Sequence, residues 1–444
     1  MKKFLLIFLL LGIAITVVAQ TEPSSDKVRK DRIWDIVRPN QKNIAGYIDL
    51  DFAYDLITIQ SGDYERENCI ISAEISQLPL SEDSIIVLYE QTPDGWKETA
   101  SQLYLVKGEK PVLFWILSGK TPARTTRTFI TTSKITKTPA KALMDVEDTQ
   151  KALVLTKNGH PVLQYNYAHL DPPPGVDPAY GRTGGYIHPA YSPKGNVLTN
   201  IQPRDHYHHF GIWNPWTRMV YDGKQYDLWN IGDKKGTVRA RNIEEIYGGA
   251  VFSGFMASLD HYIFNEDTEK VIMNEYWKVK IWNVPDGFLW DFESHLFLPT
   301  PLPILLEAYR YAGFGWRGTP EWTKENCDML TSEGKTRPEI DGTNARWIYV
   351  TGDTRTGCSG LLFMCHPENY SFPEPLRIWD QDANGGRGDT FINFAPTKNR
   401  NWVLLPNEHY VLKYRVFAFE GNMTVEQANR LWNDFAYPPV EIKN

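Results

Sequence analysis

The densest group of ionisable side chains lies between positions 204 and 209, where the sequence reads RDHYHH. Three of the ten histidines of the chain, His206, His208 and His209, fall within four residues. If this segment is extended, successive side chains point to opposite faces, so His206 and His208 share one face and Tyr207 lies on the other. A single histidine is more often a hydrogen-bonded structural residue, but the interleaving of His, Tyr and Asp favours a functional site.

Two chemistries are open to this cluster. Two histidines spaced two residues apart on a strand can bind a divalent metal if a third ligand, such as His188 or His295, joins them. Equally, a neutral histidine beside a tyrosine can act as a general acid–base pair, because the ordinary pKa of histidine lies close to neutral pH. The sequence leaves this choice open, and with it the identity of any cofactor.

Arginine and tryptophan recur in two later segments, 309–318 and 375–380, close to glycine or proline. A guanidinium group can hold a carboxylate or sulfate through two parallel hydrogen bonds. Most single arginines form structural ion pairs, whereas a position beside Gly and Trp favours a loop that faces a substrate. The residues predicted to bind substrate are Arg204, Trp213, Arg310, Trp316, Arg317 and Arg377.

Two familiar catalytic arrangements are missing from the sequence. It has no GxSxG motif, which disfavours a serine hydrolase. No spacing singles out the two carboxylates that a retaining glycosidase uses. Asp205, Asp291 and Glu293 remain candidates for a hydrolase whose carboxylates meet only in the folded chain.

The elements that position these residues are predicted to be strands. Short β-rich runs separated by turn signals predict a β-sandwich over 28–135, and the polar, proline-interrupted stretch 134–150 is the predicted linker. Longer, more aromatic strands predict a larger β domain over 150–444, in which a capping box at Thr424 predicts a C-terminal helix. The expected fold class is all-β. The clearest runs of the first domain are 69–75, 84–91, 111–117 and 127–132.

Two runs of the larger domain show the period of two that a strand requires. In 275–282 every second residue is apolar, which predicts a strand with one buried face. In 290–297 the polar residues Asp291, Glu293 and His295 share a face. That face is either a solvated surface or the floor of a groove.

The N-terminus has the pattern of a cleaved export signal. Lys2 and Lys3 precede an apolar run that ends in small residues at Ala19, so 1–19 is the predicted signal peptide. No later stretch is apolar over the length of a membrane span, and we expect a periplasmic or secreted protein without membrane insertion. The formal net charge of −7 gives no electrostatic reason to bind nucleic acid.

The motif DHYHHFGIW at 205–213, with YIHP at 186–189 before it, resembles the PmoA-like family of exported proteins from polysaccharide-utilisation loci of Bacteroidetes-type bacteria. The resemblance extends to 342–349 and 360–369 and covers most of the chain. It implies an N-terminal immunoglobulin-like β-sandwich followed by a galactose-mutarotase-like β-supersandwich. Family members often have proline where Tyr207 stands, and Trp-His-x-Arg where this chain has Pro-Leu-Arg-Ile-Trp at 375–379.

The resemblance also implies chemistry on a sugar ring, and the family is linked to dehydration of terminal uronic acids in ulvan-type oligosaccharides. The predicted function is a carbon–oxygen lyase (hydro-lyase) that eliminates water from the non-reducing-end uronic acid of an acidic oligosaccharide. His208 or His209 is the predicted base and Tyr207 the acid, while His188 and His206 orient them or hold a metal. The alternatives are a mutarotase-like epimerase, a glycoside hydrolase, and a non-catalytic periplasmic glycan-binding protein.

Overall fold

A computed structural model describes residues 55–76, 84–105, 110–135, 142–266 and 268–442. The predicted signal peptide at 1–19 lies outside these residues. The fold is all-β, as the sequence predicts. In the described ranges, no helix has both the length and the hydropathy needed to cross a membrane.

Seven short strands form two sheets at the N-terminal end of the described chain. The four runs predicted from sequence coincide with strands to within one residue at their ends, and the core between the sheets includes Trp115 packed 5.2 Å from Phe129. A three-stranded sheet has the order β2-β6-β5, and a larger sheet has β1-β7-β3-β4 as consecutive neighbours. The strands are β1 (Leu56–Gln60), β2 (Arg66–Glu74), β3 (Ser84–Thr92), β4 (Gly95–Thr99), β5 (Ser101–Tyr104), β6 (Val112–Thr121) and β7 (Thr126–Ile135).

The remaining strands belong mostly to the larger β domain. They are β8 (Met144–Asp148), β9 (Ala152–Lys157), β10 (His160–Asn166), β11 (His169–Leu170), β12 (Arg182–Thr183), β13 (Tyr186–Ala190), β14 (Ile212–Trp213), β15 (Met219–Tyr221), β16 (Lys224–Tyr226), β17 (Gly236–Tyr247), β18 (Phe252–Asn265), β19 (Thr268–Trp282), β20 (Phe288–Phe297), β21 (Ile304–Leu306), β22 (Gly315–Arg317), β23 (Cys327–Thr331), β24 (Trp347–Thr354), β25 (Gly357–Cys365), β26 (Leu376–Ile378), β27 (Phe391–Phe394), β28 (Trp402–Leu404), β29 (Tyr410–Glu420) and β30 (Val440–Ile442). The helices are α1 (Arg337–Ile340), α2 (Ala383–Gly386) and α3 (Val425–Ala436), and there are 3-10 turns at Pro178–Tyr180 and Ile231–Asp233.

Two eight-stranded sheets pack face to face around the main core. The first has the order β26-β27-β22-β14-β13-β10-β9-β8, and the second has the order β17-β18-β19-β20-β29-β25-β24-β23. Tyr165 of the first sheet stacks 4.5 Å from Phe255 of the second, and its ring lies 5.7 Å from that of Trp277. Trp277 and Ile281 are buried, so the alternation predicted for 275–282 is confirmed.

The first sheet divides its residues between this core and its outer face. Ile187, Ile212 and Trp316 are partners across three neighbouring strands, and all three are buried in the core. Because side chains alternate along a strand, Trp213 and Arg317 point to the outer face. Trp316 packs between the sheets, which corrects its prediction as a substrate-binding residue.

Two strands lie where the sequence predicts the ends of the larger domain. The first strand of the large sheets, β8, lies inside the segment predicted to be a linker. At the other end, β30 leaves the larger domain and pairs with β1 of the N-terminal sandwich. The helix predicted from the capping box is confirmed as α3, with Thr424 Oγ1 accepting from Gln427 N at 3.2 Å.

Candidate active site

The segment that carries the histidine cluster is a loop of two turns on the outer face of the first sheet. The amide of His206 donates to Pro203 O at 2.9 Å, and that of His209 donates to His206 O at 3.0 Å. The extended conformation considered from sequence, with two alternating faces, is therefore wrong. The turns gather the three imidazole rings, because the His206 and His208 centroids lie 5.3 Å apart and each lies 4.8 Å from that of His209.

Gly211 allows this loop to return to the sheet. It has φ of 60°, and a Cβ atom at this position would lie 2.3 Å from Ile187 O and 2.9 Å from His188 Cβ. Only glycine tolerates both this backbone conformation and such a close approach. The contact also places His188 of β13 beside the loop.

Asp205 and His206 form a hydrogen-bonded dyad. His206 Nδ1 lies 2.8 Å from Asp205 Oδ2, and 32% of the His206 side chain is exposed. If Nδ1 carries the proton that it donates to the carboxylate, Nε2 is left as a free base. Among the described residues, no side chain forms a hydrogen bond with that Nε2 atom.

Two further side chains fix the carboxylate of the dyad. Arg317 Nη2 donates to Asp205 Oδ1 at 3.1 Å, and its Nη1 lies 2.9 Å from Oδ2. Asn384 Nδ2 donates to Oδ2 at 3.0 Å. Partial burial opposes the charge on Asp205, but the hydrogen bond with His206 and the charge of Arg317 outweigh it and hold the pKa of Asp205 well below its ordinary value. Asp205 is thus a carboxylate at neutral pH.

Arg317 holds Asp205 in place and does not face solvent. The residue is 1% exposed, its guanidinium carbon lies 4.6 Å from the centre of the Trp379 ring, and Asp389 is 3.7 Å from its Nη2. Its prediction as a direct substrate ligand is corrected accordingly, since its charge is already paired within the protein.

The other histidines of the cluster are neutral at neutral pH. Burial is the largest cause in each case: it lowers the pKa of His208 to about 4 and that of His188 to about 4, and it places that of His209 well below the ordinary value. His209 is almost fully buried. Its burial does not fit its predicted role as the base, whereas part of the His206 side chain is exposed. His188 Nδ1 lies 2.8 Å from Thr199 Oγ1.

Aromatic rings surround the dyad. The Trp379 ring lies 4.7 Å from that of His206, and the half-buried rings of Tyr180 and Tyr207 are 5.7 Å apart at the edge of the loop. Trp213 is fully buried beneath His209, at 5.0 Å. It supports the cluster from below, which corrects its prediction as a substrate-binding residue.

Of the histidines considered as metal ligands, His295 lies apart from the others. His295 lies on the second sheet, where its Nε2 is 2.9 Å from Glu293 Oε2 and its Nδ1 is 2.9 Å from His409 Nε2. It cannot join His206 and His208. Across the described parts of the chain, no three His, Cys, Asp or Glu side chains are grouped so that they could hold a metal ion.

The carboxylates considered for a hydrolase are also separated. Asp291 is on β20 of the second sheet, with Oδ2 at 2.9 Å from Arg415 Nη2, and Glu293 lies on the same strand. Asp291 and Glu293 share a face of the strand as predicted, but neither lies beside Asp205.

Three predicted arginines lie at the rim of the outer face. Arg204 is exposed at the start of the loop. Arg310 is exposed and its guanidinium carbon lies 5.4 Å from the Tyr311 ring. Arg377 Nη1 pairs with Asp341 Oδ2 at 3.0 Å.

The prediction from sequence missed several residues that complete the site. Asn384 lies 179 residues from the Asp205 that it contacts, and Asp389 accepts from the same amide at 2.7 Å. Trp379 lies in the segment 375–380, for which the sequence predicts only Arg377 as a site residue. No local pattern identifies Asn384 or Asp389, because their partners are brought to them only by the fold.

The family model of DUF6807, a family of unknown function, matches residues 152–433. The chain belongs to the DUF6807 family. All of the site residues described above lie within its DUF6807 region. Among solved structures, the chain is similar to the Slr1438 protein from Synechocystis sp. PCC 6803, at 11% identity and a TM-score of 0.28, over 65% of this chain and 99% of that chain. No curated protein matches the sequence.

Proposed function

We propose that this protein is a carbon–oxygen lyase that removes water from the terminal uronic acid of an acidic oligosaccharide. The observation that carries the proposal is the dyad of Asp205 and His206, whose carboxylate is fixed by Arg317 and Asn384. Such an arrangement provides a base with one nitrogen fixed and the other facing solvent. We propose further that the protein acts in the periplasm or outside the cell.

In the proposed reaction His206 Nε2 takes the proton from C5 of the uronic acid. The carboxylate of Asp205 stabilises the imidazolium that forms. The bond between C4 and its oxygen breaks, the electron pair of the C5–H bond becomes the C4–C5 double bond, and the departing hydroxyl takes a proton from Tyr207 to leave as water. The proton on His206 then returns to Tyr207 through solvent, which balances the cycle.

The C5 proton becomes acidic only when the neighbouring carboxylate is neutralised. Arg204 is the exposed cation next to the dyad in sequence, and Arg310 and Arg377 lie further along the same face. Arg204 and Arg310 are exposed, unlike the buried Arg317, whereas Arg377 is half-buried and paired with Asp341. The neutral state of His208 avoids a second positive charge beside the base.

The test is incubation of the purified protein with uronic-acid-terminated oligosaccharides, followed by absorbance of the unsaturated uronate and by mass spectrometry. We expect loss of one water without chain cleavage, and a rate reduced by about 10² to 10⁴ in His206→Asn, the range of general acid–base catalysis. His160→Asn, at an exposed histidine in β10, is the matched control and should keep the activity.

Other products would point to the alternatives. New reducing ends indicate a glycoside hydrolase, and a changed stereocentre at constant mass indicates an epimerase. Binding without any product indicates a glycan-binding protein. Full dehydratase activity in His206→Asn would refute the role of the dyad.

A further inference from the structure

Two cations converge on the carboxylate of Asp341 at the edge of the first sheet, and a third, Arg310, lies nearby along the chain. Lys398 Nζ lies 3.3 Å from Asp341 Oδ1, and Arg377 Nη1 lies 3.0 Å from Asp341 Oδ2. The same Lys398 Nζ donates to the backbone oxygen of Arg310 at 3.4 Å, so the chain at Arg310 runs beside the group. Asp341 can neutralise only one of the two charges paired with it.

The group is partly removed from water. The exposed fraction of the side chain is 11% for Lys398 and 23% for Arg377. Burial, together with the charges of Arg377 and Arg310, lowers the pKa of Lys398 from its ordinary value, although Asp341 partly offsets this effect. A partly desolvated excess of positive charge is costly in the free protein and attracts an anion.

The basic group lies on the same face as the dyad. Arg377 and Trp379 are two residues apart on an extended segment, about 6.6 Å along the chain, and therefore point to the same side. The Trp379 ring contacts His206 at 4.7 Å. On the other flank, Tyr311 follows Arg310 and lies 5.1 Å from Trp229, which in turn contacts the histidine cluster.

We propose that Arg310, Arg377 and Lys398 form a subsite for an anionic substituent, a carboxylate or a sulfate ester, on the oligosaccharide that the dyad processes. Lys398 determines the preference for charge, because its side chain is the less exposed of the two cations that pair with Asp341. The inference rests on the proposed function only in taking an oligosaccharide as the carrier of the anion.

The test is calorimetric titration of the full-length His206→Asn protein, in which binding is measured without turnover. The probes are an oligogalacturonate, the same oligosaccharide with its carboxyl groups reduced, and a neutral oligosaccharide carrying a sulfate ester. We expect the oligogalacturonate or the sulfated probe to bind at least about tenfold more tightly than the carboxyl-reduced probe. One charge-assisted hydrogen bond has an effect of this size. Which charged probe is preferred then distinguishes carboxylate from sulfate.

Substitutions in the same background assign the effect to Lys398. Lys398→Met should abolish the preference for charge and Lys398→Arg should restore it. Lys413→Met, at a cation paired with Glu368 on the second sheet, should leave it unchanged. Equal affinity for charged and neutral probes, or a preference retained in Lys398→Met, overturns the subsite.

The failure of this inference is distinguishable from failure of the proposed function. A preference for charged probes that depends on Lys398 supports the subsite. If the protein with His206 intact then dehydrates no substrate, the subsite stands and the proposed lyase activity is refuted. If the protein dehydrates the oligosaccharide and Lys398→Met leaves the KM unchanged, the lyase activity is supported and the subsite is refuted.

Discussion

His188 should make the protein less stable in mild acid. Its side chain is half-buried in β13, where Nδ1 lies 2.8 Å from Thr199 Oγ1, and burial lowers its pKa to about 4 from the ordinary 6.5. Between these two values the unfolded chain binds a proton that the folded protein does not. The free energy of unfolding is therefore highest above the pKa that His188 has in the unfolded chain. It decreases as the pH falls towards the pKa of His188 in the folded protein.

The size of the effect follows from the two pKa values. Each unit of difference is worth about 1.4 kcal/mol, so lowering the pH from about 7 to about 5 should cost roughly 2 kcal/mol through His188 alone. Other groups titrate in this window, which makes the total pH dependence unsuitable for the test. His188→Asn removes this one titration while keeping a group that can pair with Thr199.

The assay is urea unfolding of wild type and His188→Asn at both pH values. We expect the difference between their free energies of unfolding to change by roughly 2 kcal/mol in favour of the variant on acidification. Because all other groups are common to both proteins, their contributions cancel. Parallel pH dependences of the two proteins would refute the reasoning and mean that His188 is accessible to protons in the folded state.

Two other substitutions test buried charges elsewhere. Glu374 is fully buried and burial raises its pKa to about 8, so its contribution to stability is full below the unfolded pKa and is lost as the pH rises towards about 8. Relative to wild type, Glu374→Gln should therefore gain about 3 kcal/mol in unfolding free energy between about pH 5 and about pH 8, and an unchanged difference would contradict the buried acid. Arg66→Met should cost about 3 to 5 kcal/mol in urea unfolding, because it leaves Asp434, 2.9 Å away and buried, without its partner. Arg124→Met, at an exposed ion pair, is the control and should change little, and equal effects of the two substitutions would refute the importance of the buried pair.

The Arg66 contact also shows how the N-terminal sandwich is joined to the rest of the chain. Arg66 on β2 donates to the carbonyls of Asn433 and Tyr437 at the end of α3, in addition to its pairing with Asp434. Together with the pairing of β30 to β1, this contact attaches the end of α3 and the strand β30 to the N-terminal sandwich.

The sequence alone determined the elements whose pattern is local. The alternation in 275–282 gives β19 because a sheet buries every second side chain. The capping box at Thr424 gives α3 because its two hydrogen bonds satisfy the first amides of the helix. The RDHYHH run predicts a functional cluster at 204–209, since so many ionisable groups rarely serve structure alone, and this stays a prediction.

The tertiary structure decided which of those groups are buried and which remain exposed. Arg317 is 112 residues from Asp205 in sequence, and only the packing of β22 beside β14 turns a predicted substrate ligand into the support of a carboxylate. The burial that takes His209 out of reach, and the turns that leave His206 exposed, likewise depend on how the loop lies against the sheet. Alternation predicts which residues share a face of a strand, but the contacts between distant strands that set burial and charge have no local pattern in the sequence.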